Sequence, residues 1–454
     1  MSLSVIILAA GQGTRMYSDK PKVLHEIGGK PMLAHVLELA QKLEPAEISV
    51  VVGHQADRVK ERLSDYSVQW VLQAEQLGTG HAVQQAIDTV SAERVLVLYG
   101  DTPLTRVSSL KKLLHASESD KLGLLTVKMD NPTGYGRIVR DSNGSILEII
   151  EEKDASDEIK KINEGNTGIL YAETASLKRW LNELENDNQQ GEYYLTDCIA
   201  ACVAENETVA SVCVSDESEV AGINNKLQLE QLERVYQLQQ AEALLTQGVT
   251  LADKSRFDIR GTLICGRDTF IDINCIFEGN VELADGVSIG QNCLIKESSI
   301  GAGSVVLANS VIENARVDES CSIGPFARLR PGAEMAANSK VGNFVEIKQA
   351  TIGEGAKVNH LTYIGDAEIG EKANIGAGTI TCNYDGAYKH KTIIGANAFI
   401  GSNTALVAPV TIEAGASIGA GSTITRDAPE NELTLERSKQ ITIKGWQRPK
   451  KEKS

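Results

Sequence analysis

The sequence predicts two architectures in one 454-residue chain: an α/β domain on a mostly parallel sheet, then a parallel β-helix. Two patterns carry that expectation. Up to about residue 250, short aliphatic runs alternate with helical stretches. Beyond it helix signals nearly vanish, and an aliphatic residue returns every six positions. The length allows two or three domains at roughly 150 residues each.

In the first half the runs are VIILAA (5–10), ISVVVG (48–53), RVLVLYG (94–100) and LGLLTV (122–127). They are continuous rather than alternating, as strands buried on both faces should be. Between them, MLAHVLELAQKL (32–43) and GHAVQQAIDTV (80–90) have helical spacing. Residues 223–247 contain neither Gly nor Pro, carry Leu227, Leu229, Leu232, Val235, Leu238, Leu244 and Leu245, and end at Gly248. They predict a long helix, either a connector or the last helix of the first domain. The expected division is 1–225 for the α/β domain, 226–248 for the linking helix, 249–437 for the β-helix and 438–454 for a tail. The end of that tail, RPKKEKS (448–454), is expected to be a disordered basic segment.

In the second half Ile271, Phe277, Leu283, Ile289 and Ile295 keep a step of six, as do Ile394, Ile400, Leu406, Ile412, Ile418 and Ile424. Between them 300–306–312, 317–323–329, 341–347, 352–358–364 and 369–375 keep it with slips of five. Each hexapeptide makes one flat side, its aliphatic residue points inward, and a small residue fits the corner. Three sides make a coil of 17 or 18 residues, and coils stack at the strand spacing of ~4.8 Å. A β-sandwich would alternate with period two instead. The hexads fail between Ile380 and Ile393, where TCNYDGAYKHKT is polar and turn-rich, which predicts an outward loop.

Composition removes several function classes. Lys and Arg number 45 against 61 Asp and Glu, a net charge of −16. Such a chain is a poor general binder of nucleic acid or anionic membrane, so phosphorylated ligands would need local cations. Aromatic residues, at 4%, are too few for a base-stacking protein. The run Val5 to Ala10 falls far short of the ~20 residues of a membrane span, so membrane insertion is not expected. MSLS offers no basic region before it, so neither is a secretory signal. The eight cysteines form no CxxC pair and no zinc spacing, and are expected to be cytosolic thiols. Cys275 and Cys293, 18 apart, are expected to stack as corner residues rather than act as a redox pair.

Two places invite chemistry. Strand VIILAA opens into Gly11-Gln12-Gly13-Thr14-Arg15-Met16, then Pro21-Lys22. Glycines let backbone N–H groups approach an anion, and Arg15 and Lys22 add charge. A dinucleotide fingerprint would need a third Gly where Met16 stands, and a P-loop would end in GK[ST]. Asp101 follows RVLVLYG, at the carboxyl end where α/β sheets place ligands, and suits Mg²⁺. In the β-helix, Arg330 and Lys348 lie one coil apart and should stack. Stacked like charges are unfavourable without an anion between them, which predicts a phosphate site. His360, in KVNHLTYIGD and close to Tyr363, suits removal of a proton from an attacking amine, with Glu346 a candidate to orient it.

LAAGQGTRM…PK, with QAEQLGTGHA (73–82), LYGDTPL (98–104), NPTGYGRIV (131–139), EEKDA (151–155), NTGI (166–169), GEYYLTD (191–197) and GINNKLQL (222–229), resembles the sugar-phosphate nucleotidyltransferases. With the hexads, the resemblance spans nearly the whole chain and is to the bifunctional bacterial members of that family. It implies a Rossmann-like nucleotidyltransferase domain and a left-handed parallel β-helix that assembles as a homotrimer. It implies that UTP meets N-acetylglucosamine 1-phosphate in the first domain. There Leu8, Ala9, Ala10, Gly11, Gly13, Thr14, Arg15 and Lys22 would hold the nucleotide, and Gln73, Gly78 and Thr79 the uracil. Gly136, Glu151 and Asn166 would hold the sugar, and Asp101 and Asn224 the Mg²⁺.

In the β-helix the resemblance implies acetyl transfer from acetyl-CoA to glucosamine 1-phosphate, with His360 as general base. Arg330, Lys348, Tyr363, Asn374, Asn383, Tyr384 and Lys389 would hold the amino-sugar phosphate, the loop reaching a neighbouring subunit. Ala377, Ser402, Ala420 and Arg437 would contact acetyl-CoA. The product would be UDP-N-acetylglucosamine, a peptidoglycan and lipopolysaccharide precursor made in the cytoplasm. Rival readings are a single-activity pyrophosphorylase with a purely structural β-helix, and a regulatory subunit. The intact glycine turn disfavours the second, and the set Arg330, Lys348, His360 and Lys389 disfavours the first.

Overall fold

The computed structural model describes residues 2–449 and residue 451, so Lys450 and residues 452–454 of the expected basic tail lie outside the described residues. The chain divides into two compact units, residues 1–236 and 237–454.

The first unit is built on a nine-stranded sheet. Along its main path the strands are Val209–Val214, Leu122–Lys128, Glu164–Glu173, Arg94–Tyr99, Leu3–Ala9, Glu47–Val52 and Gln69–Leu72. Glu164–Glu173 is antiparallel to both neighbours and the other pairs along this path are parallel, as the continuous aliphatic runs predict. Val5, Ile6 and Ile7 are fully buried because helices cover both faces: odd positions pack with Leu33 and Leu37, even ones with Val83 and Ala86. After Leu3–Ala9 the chain goes to one side of the sheet (Glu47–Val52) and later returns on the other (Arg94–Tyr99). That reversal opens a crevice at the carboxyl ends of these strands.

The long helix spans Lys226–Thr246. Asn225 starts it, its Oδ1 accepting from the Gln228 N–H at 2.9 Å. Gly248, at φ 97°, ends it where the sequence places the stop. No helix among the described residues is long and apolar enough to cross a membrane. All eight cysteines are free thiols.

The second unit is a parallel β-helix of an 11-stranded and a 14-stranded sheet. Long strands such as Cys275–Leu283 run through two of its sides. Every hexad position named above is inward, and none is more than 3% exposed. The register is regular: Ile295 pairs with Ile312, Ile312 with Leu329, Leu329 with Ile347, and Ile347 with Ile364. Each inward residue therefore rests on its equivalents one coil above and below.

Two details depart from the sequence expectation. The step of six continues through the apparent gap: the residue six after Ile375 is Thr381, 1% exposed, while Ile380 is outward. Thr381 is tolerated inside because its hydroxyl accepts from the Gly365 N–H at 2.8 Å and reaches Gly365 O at 3.0 Å. Only after it does the loop leave the coil, as a hairpin with Tyr384 bridged to Lys389. The corners also hold more than small residues. Asn274, Asn292 and Asn309 are left-handed there (φ 59–62°), and their amides bond coil to coil at 2.9 and 3.2 Å. Phe326, Phe344 and Leu361 continue the same corner in the same conformation, all at least half exposed, with the phenyl rings stacked at 5.4 Å.

Because inward residues have no room to collapse around a void, Leu406→Ala should cost ~2–5 kcal/mol of unfolding free energy in the β-helix. Denaturant titration should show that transition shifted and the α/β transition unmoved.

Candidate functional site

In the first unit the glycine turn stands over the crevice. Thr14–Met16 form one 3-10 turn, and Met16, 1% exposed, pins it by packing with Ile27, Met32, Leu104, Ile223 and Leu232. The side chain that breaks the dinucleotide pattern is thus the anchor of the loop. Gly13 sits at φ 66°, and a methyl there would meet Lys22 Cβ at 2.6 Å. The glycine lets Lys22 lie against the turn.

Lys22 is the centre of the cluster. Its Nζ donates to Asp101 Oδ2 at 2.5 Å and to Asn224 Oδ1 at 2.7 Å, and Arg15 donates to the same Asn224 oxygen at 3.0 Å. Asp101 follows strand Arg94–Tyr99, and Asn224 is held by its N–H to Gln228 Oε1 at 2.8 Å. Two oxygens of the types Mg²⁺ takes therefore converge on one cationic group, a donor set that fits a hard cation.

One cavity is lined by Leu8, Ala9, Ala10, Gly11, Lys22, Gln73, Gly78, Thr79 and Asp101, bringing nine of the expected residues together. Gln73 is buried, its amide nitrogen spent on Gly78 O (3.2 Å) and His81 Nδ1 (3.0 Å). Gly78 has φ 111°, and a methyl there would meet Tyr193 O at 2.5 Å. Thr79 accepts from the Leu195 N–H at 3.1 Å, tying GTGHA to GEYYLTD. The expected sugar residues also meet. Asn166 N–H donates to Gly136 O at 2.8 Å, and a methyl on Gly136 would stand 3.3 Å from Glu151 Oε1.

Sequence reasoning misses Gln76 and Glu192 here, and places Tyr99 and Thr196 nearby without a role. Gln76 and Glu192 line the cavity, and Gln76 ties the turn to the next loop by accepting from Gln12 at 3.3 Å. Tyr99 is partly buried at the end of its strand, and desolvation with the nearby Glu151 and Asp101 charges drives its phenol well above the ordinary range. Thr196 donates to Glu151 at 3.4 Å. Gln76 and Glu192 fall inside quoted motifs, but a polar surface residue and a cavity residue read alike in sequence.

In the second unit Asn343, His360, Ala377, Ser402 and Ala420 occupy one position on successive coils. The N–H after each is bonded to the carbonyl one coil below: Leu361 to Asn343, Gly378 to His360, Asn403 to Ala377, and Gly421 to Ser402. Arg437 comes next, its Cδ 3.9 Å from where a side chain on Gly421 would begin. The expected base and the expected acetyl-CoA residues thus form one column. Asn374 lies on the same sheet, paired with Lys357 and Phe399.

The cations stand on the neighbouring side. Arg330 donates to Glu346 Oε1 at 2.7 Å, which corrects the expectation that Glu346 orients His360. The imidazole meets Asn343 instead, Nδ1 to Oδ1 at 2.6 Å. Arg330 and Lys348 stack on adjacent coils as expected. Lys348 is held below its ordinary value first by Lys389 and to a smaller extent by desolvation and Arg330. Tyr363 folds its phenol over Gly365, on the coil position above Lys348. Asn383 donates to Asp366, and Tyr384 Oη donates to Gly386 O at 2.6 Å within the hairpin. Asp385, missed in the sequence, accepts from Ala387, Tyr388 and His390, which hold its carboxyl far below the usual range and tie the hairpin's turn together. Cys275 and Cys293 adjoin on successive coils, the corner role expected of them.

Burial, then Asp154 and Asp197, raises Glu151 above its ordinary value of 4.5. A carboxyl raised on folding is penalised as it ionises, so it subtracts stability as pH climbs through the raised value. Glu151→Gln keeps the Thr196 bond and should raise the unfolding midpoint at pH 7 but not below pH 4, by thermal melts at both.

Residues 5–164 match the MobA-like NTP transferase domain, and residues 391–426 match six repeats of the bacterial transferase hexapeptide. Among solved structures, HddC from Yersinia pseudotuberculosis complexed with GMP-PN is 20% identical, covering 51% of this chain and 99% of its own, at a TM-score of 0.40. The inositol-1-phosphate CTP transferase from T. maritima is 18% identical over 51% and 94%, at 0.41. A UDP-glucose pyrophosphorylase complexed with UDP-glucose is 15% identical over 52% and 98%, at 0.43. The chain joins an NTP transferase domain to a β-helix of hexapeptide transferase repeats.

Proposed function

We propose that the chain is a bifunctional enzyme of UDP-N-acetylglucosamine synthesis, with one reaction in each unit. The observation that carries this reading is the column His360–Ala377–Ser402–Ala420–Arg437 beside Arg330, Lys348 and Lys389. A β-helix that served only for assembly would need no stacked cations next to a histidine.

In the β-helix, the phosphate of glucosamine 1-phosphate settles among Arg330, Lys348 and Lys389 and relieves their repulsion. Tyr363, Asn374, Asn383 and Tyr384 surround the sugar. Acetyl-CoA lies along the column, where Ala377, Ser402 and Ala420 leave its arm room and Arg437 meets a phosphate. His360 Nε2 takes the amine proton as nitrogen attacks the thioester carbonyl. The N–C bond forms, the C–S bond breaks, and coenzyme A leaves as the thiol.

In the α/β unit, N-acetylglucosamine 1-phosphate attacks the α-phosphorus of UTP and pyrophosphate leaves. The work is positioning and charge neutralisation. Arg15, Lys22 and the N–H groups of the glycine turn hold phosphates, Gln73, Gly78 and Thr79 hold uracil, and Gly136, Glu151 and Asn166 hold the sugar. Asp101 and Asn224 would hold Mg²⁺, which when bound neutralises phosphate charge. Lys22, which spans those two oxygens, exchanges them for phosphate. UTP and acetyl-CoA as co-substrates imply a cytoplasmic enzyme. The exposed Phe326–Phe344–Leu361 corner, beside His360, supports a homotrimer in which neighbouring β-helices cover it.

Product analysis with glucosamine 1-phosphate, acetyl-CoA, UTP and Mg²⁺, each omitted in turn, tests the reading. UDP-N-acetylglucosamine should need all four, and its formation without acetyl-CoA would refute it. His360→Ala should lower acetyl transfer by at least ~10²-fold and spare uridylyl transfer, and Asp101→Ala should do the reverse. Loss of both activities in either variant would refute separate sites.

A further inference from the structure

We propose that Asn343 is a positioning residue for His360: it holds the imidazole in the tautomer protonated at Nδ1, leaving the Nε2 lone pair to take the amine proton. The proposal rests on the acetyl-transfer reading above. Asn343 and His360 are register partners on adjacent coils, with Nδ1 and Oδ1 2.6 Å apart. A carbonyl oxygen has no hydrogen to give, so at that distance Nδ1 must carry one. In a neutral ring the other nitrogen is then the base.

The column explains why an asparagine stands there. Side chains at one coil position rise side by side at ~4.8 Å, so a short amide reaches the ring from the coil below without bending either backbone. Above the ring the column is small: Ala377, then Ser402. The ring is gripped from below and open above. Thr362 adds rigidity, its hydroxyl donating to the His360 carbonyl at 2.7 Å. Glu346, the other nearby candidate, is spent on Arg330. An amide also orients the ring without adding a negative charge beside the incoming sugar phosphate. Were the amide turned so that nitrogen faced the ring, Nε2 would carry the hydrogen and could not accept the proton.

Two variants and one spectrum test this in the full-length protein. Asn343→Leu keeps the size and removes the acceptor, and Asn343→Asp keeps an acceptor. In Asn343→Leu the acetyl-transfer kcat should fall roughly 10- to 100-fold with KM for both substrates nearly unchanged, and Asn343→Asp should recover most of kcat while raising KM for the sugar phosphate. Uridylyl transfer should be unaffected in both. Long-range ¹H–¹⁵N spectra of the wild-type protein should show the His360 ring protonated at Nδ1, and Asn343→Leu should show a tautomer mixture. An unchanged kcat in Asn343→Leu, equal losses in both variants, or an Nε2-protonated wild-type ring would overturn the proposal. If the wild-type protein transfers no acetyl group, the functional reading fails, and the spectrum still decides the tautomer.

Discussion

Everything in the second unit depends on one constraint, the parallel register of stacked coils. Backbone N–H groups of each coil bond to carbonyls of the one below, and inward residues sit directly on one another. This turns sequence distance into a lattice. Residues 17 or 18 apart become neighbours at the strand spacing, and an inserted loop shifts the count without breaking the column. The step from Ala377 to Ser402 is 25 residues, yet Asn403 N–H still bonds Ala377 O at 2.7 Å. The hairpin between them is an ornament the lattice carries. A histidine, its orienting amide and a strip of small residues can thus share one side of a rigid tower although some 80 residues separate the first from the last.

The first unit positions its chemistry by topology instead. The crevice lies where the chain reverses direction across the sheet, and strand ends deliver Ala10 and Asp101 to it. Asn224 arrives from far along the chain, just ahead of the Asn225 that starts the long helix. Met16 and the glycines then fix the turn that holds Lys22 between both oxygens. In a chain of net charge −16, cations placed there oppose the overall field that an approaching anion would meet.

Much of this was legible in the sequence for a physical reason. Inward positions of a β-helix and strands of a covered sheet tolerate little but aliphatic side chains, so their periods survive in the letters. Isolated polar choices were less legible. Thr381 continues the hexads, but a threonine reads as loop until its hydroxyl is seen satisfied by Gly365. Glu346 and Asn343 are both near His360 in number, and only the coil register separates the residue paired with Arg330 from the one paired with the ring. The Phe326–Phe344 corner hid because bulky residues seldom accept the left-handed conformation that asparagine takes below them. Hydrophobic period encodes the scaffold, while side-chain pairing across coils encodes the site.

The two units hold their clustered cations in opposite ways, and the contrast follows from their scaffolds. In the α/β crevice the ammonium of Lys22 is paired with Asp101 and hydrogen-bonded to Asn224, so an incoming anion would compete with protein oxygens for it. On the proposed function this suits a ligand that brings its own counter-cation, because Asp101 and Asn224 would hold Mg²⁺ and leave Lys22 to phosphate. In the β-helix Lys389, and less so desolvation and the stacked Arg330, hold Lys348 below its ordinary value. The coil lattice makes such an arrangement affordable: the backbone is fixed by bonds above and below, so it does not relax to separate the charges. On the proposed function a sugar monophosphate would gain by relieving their repulsion, and the hairpin tied by His390–Asp385 and the Tyr384–Lys389 bridge carries Lys389.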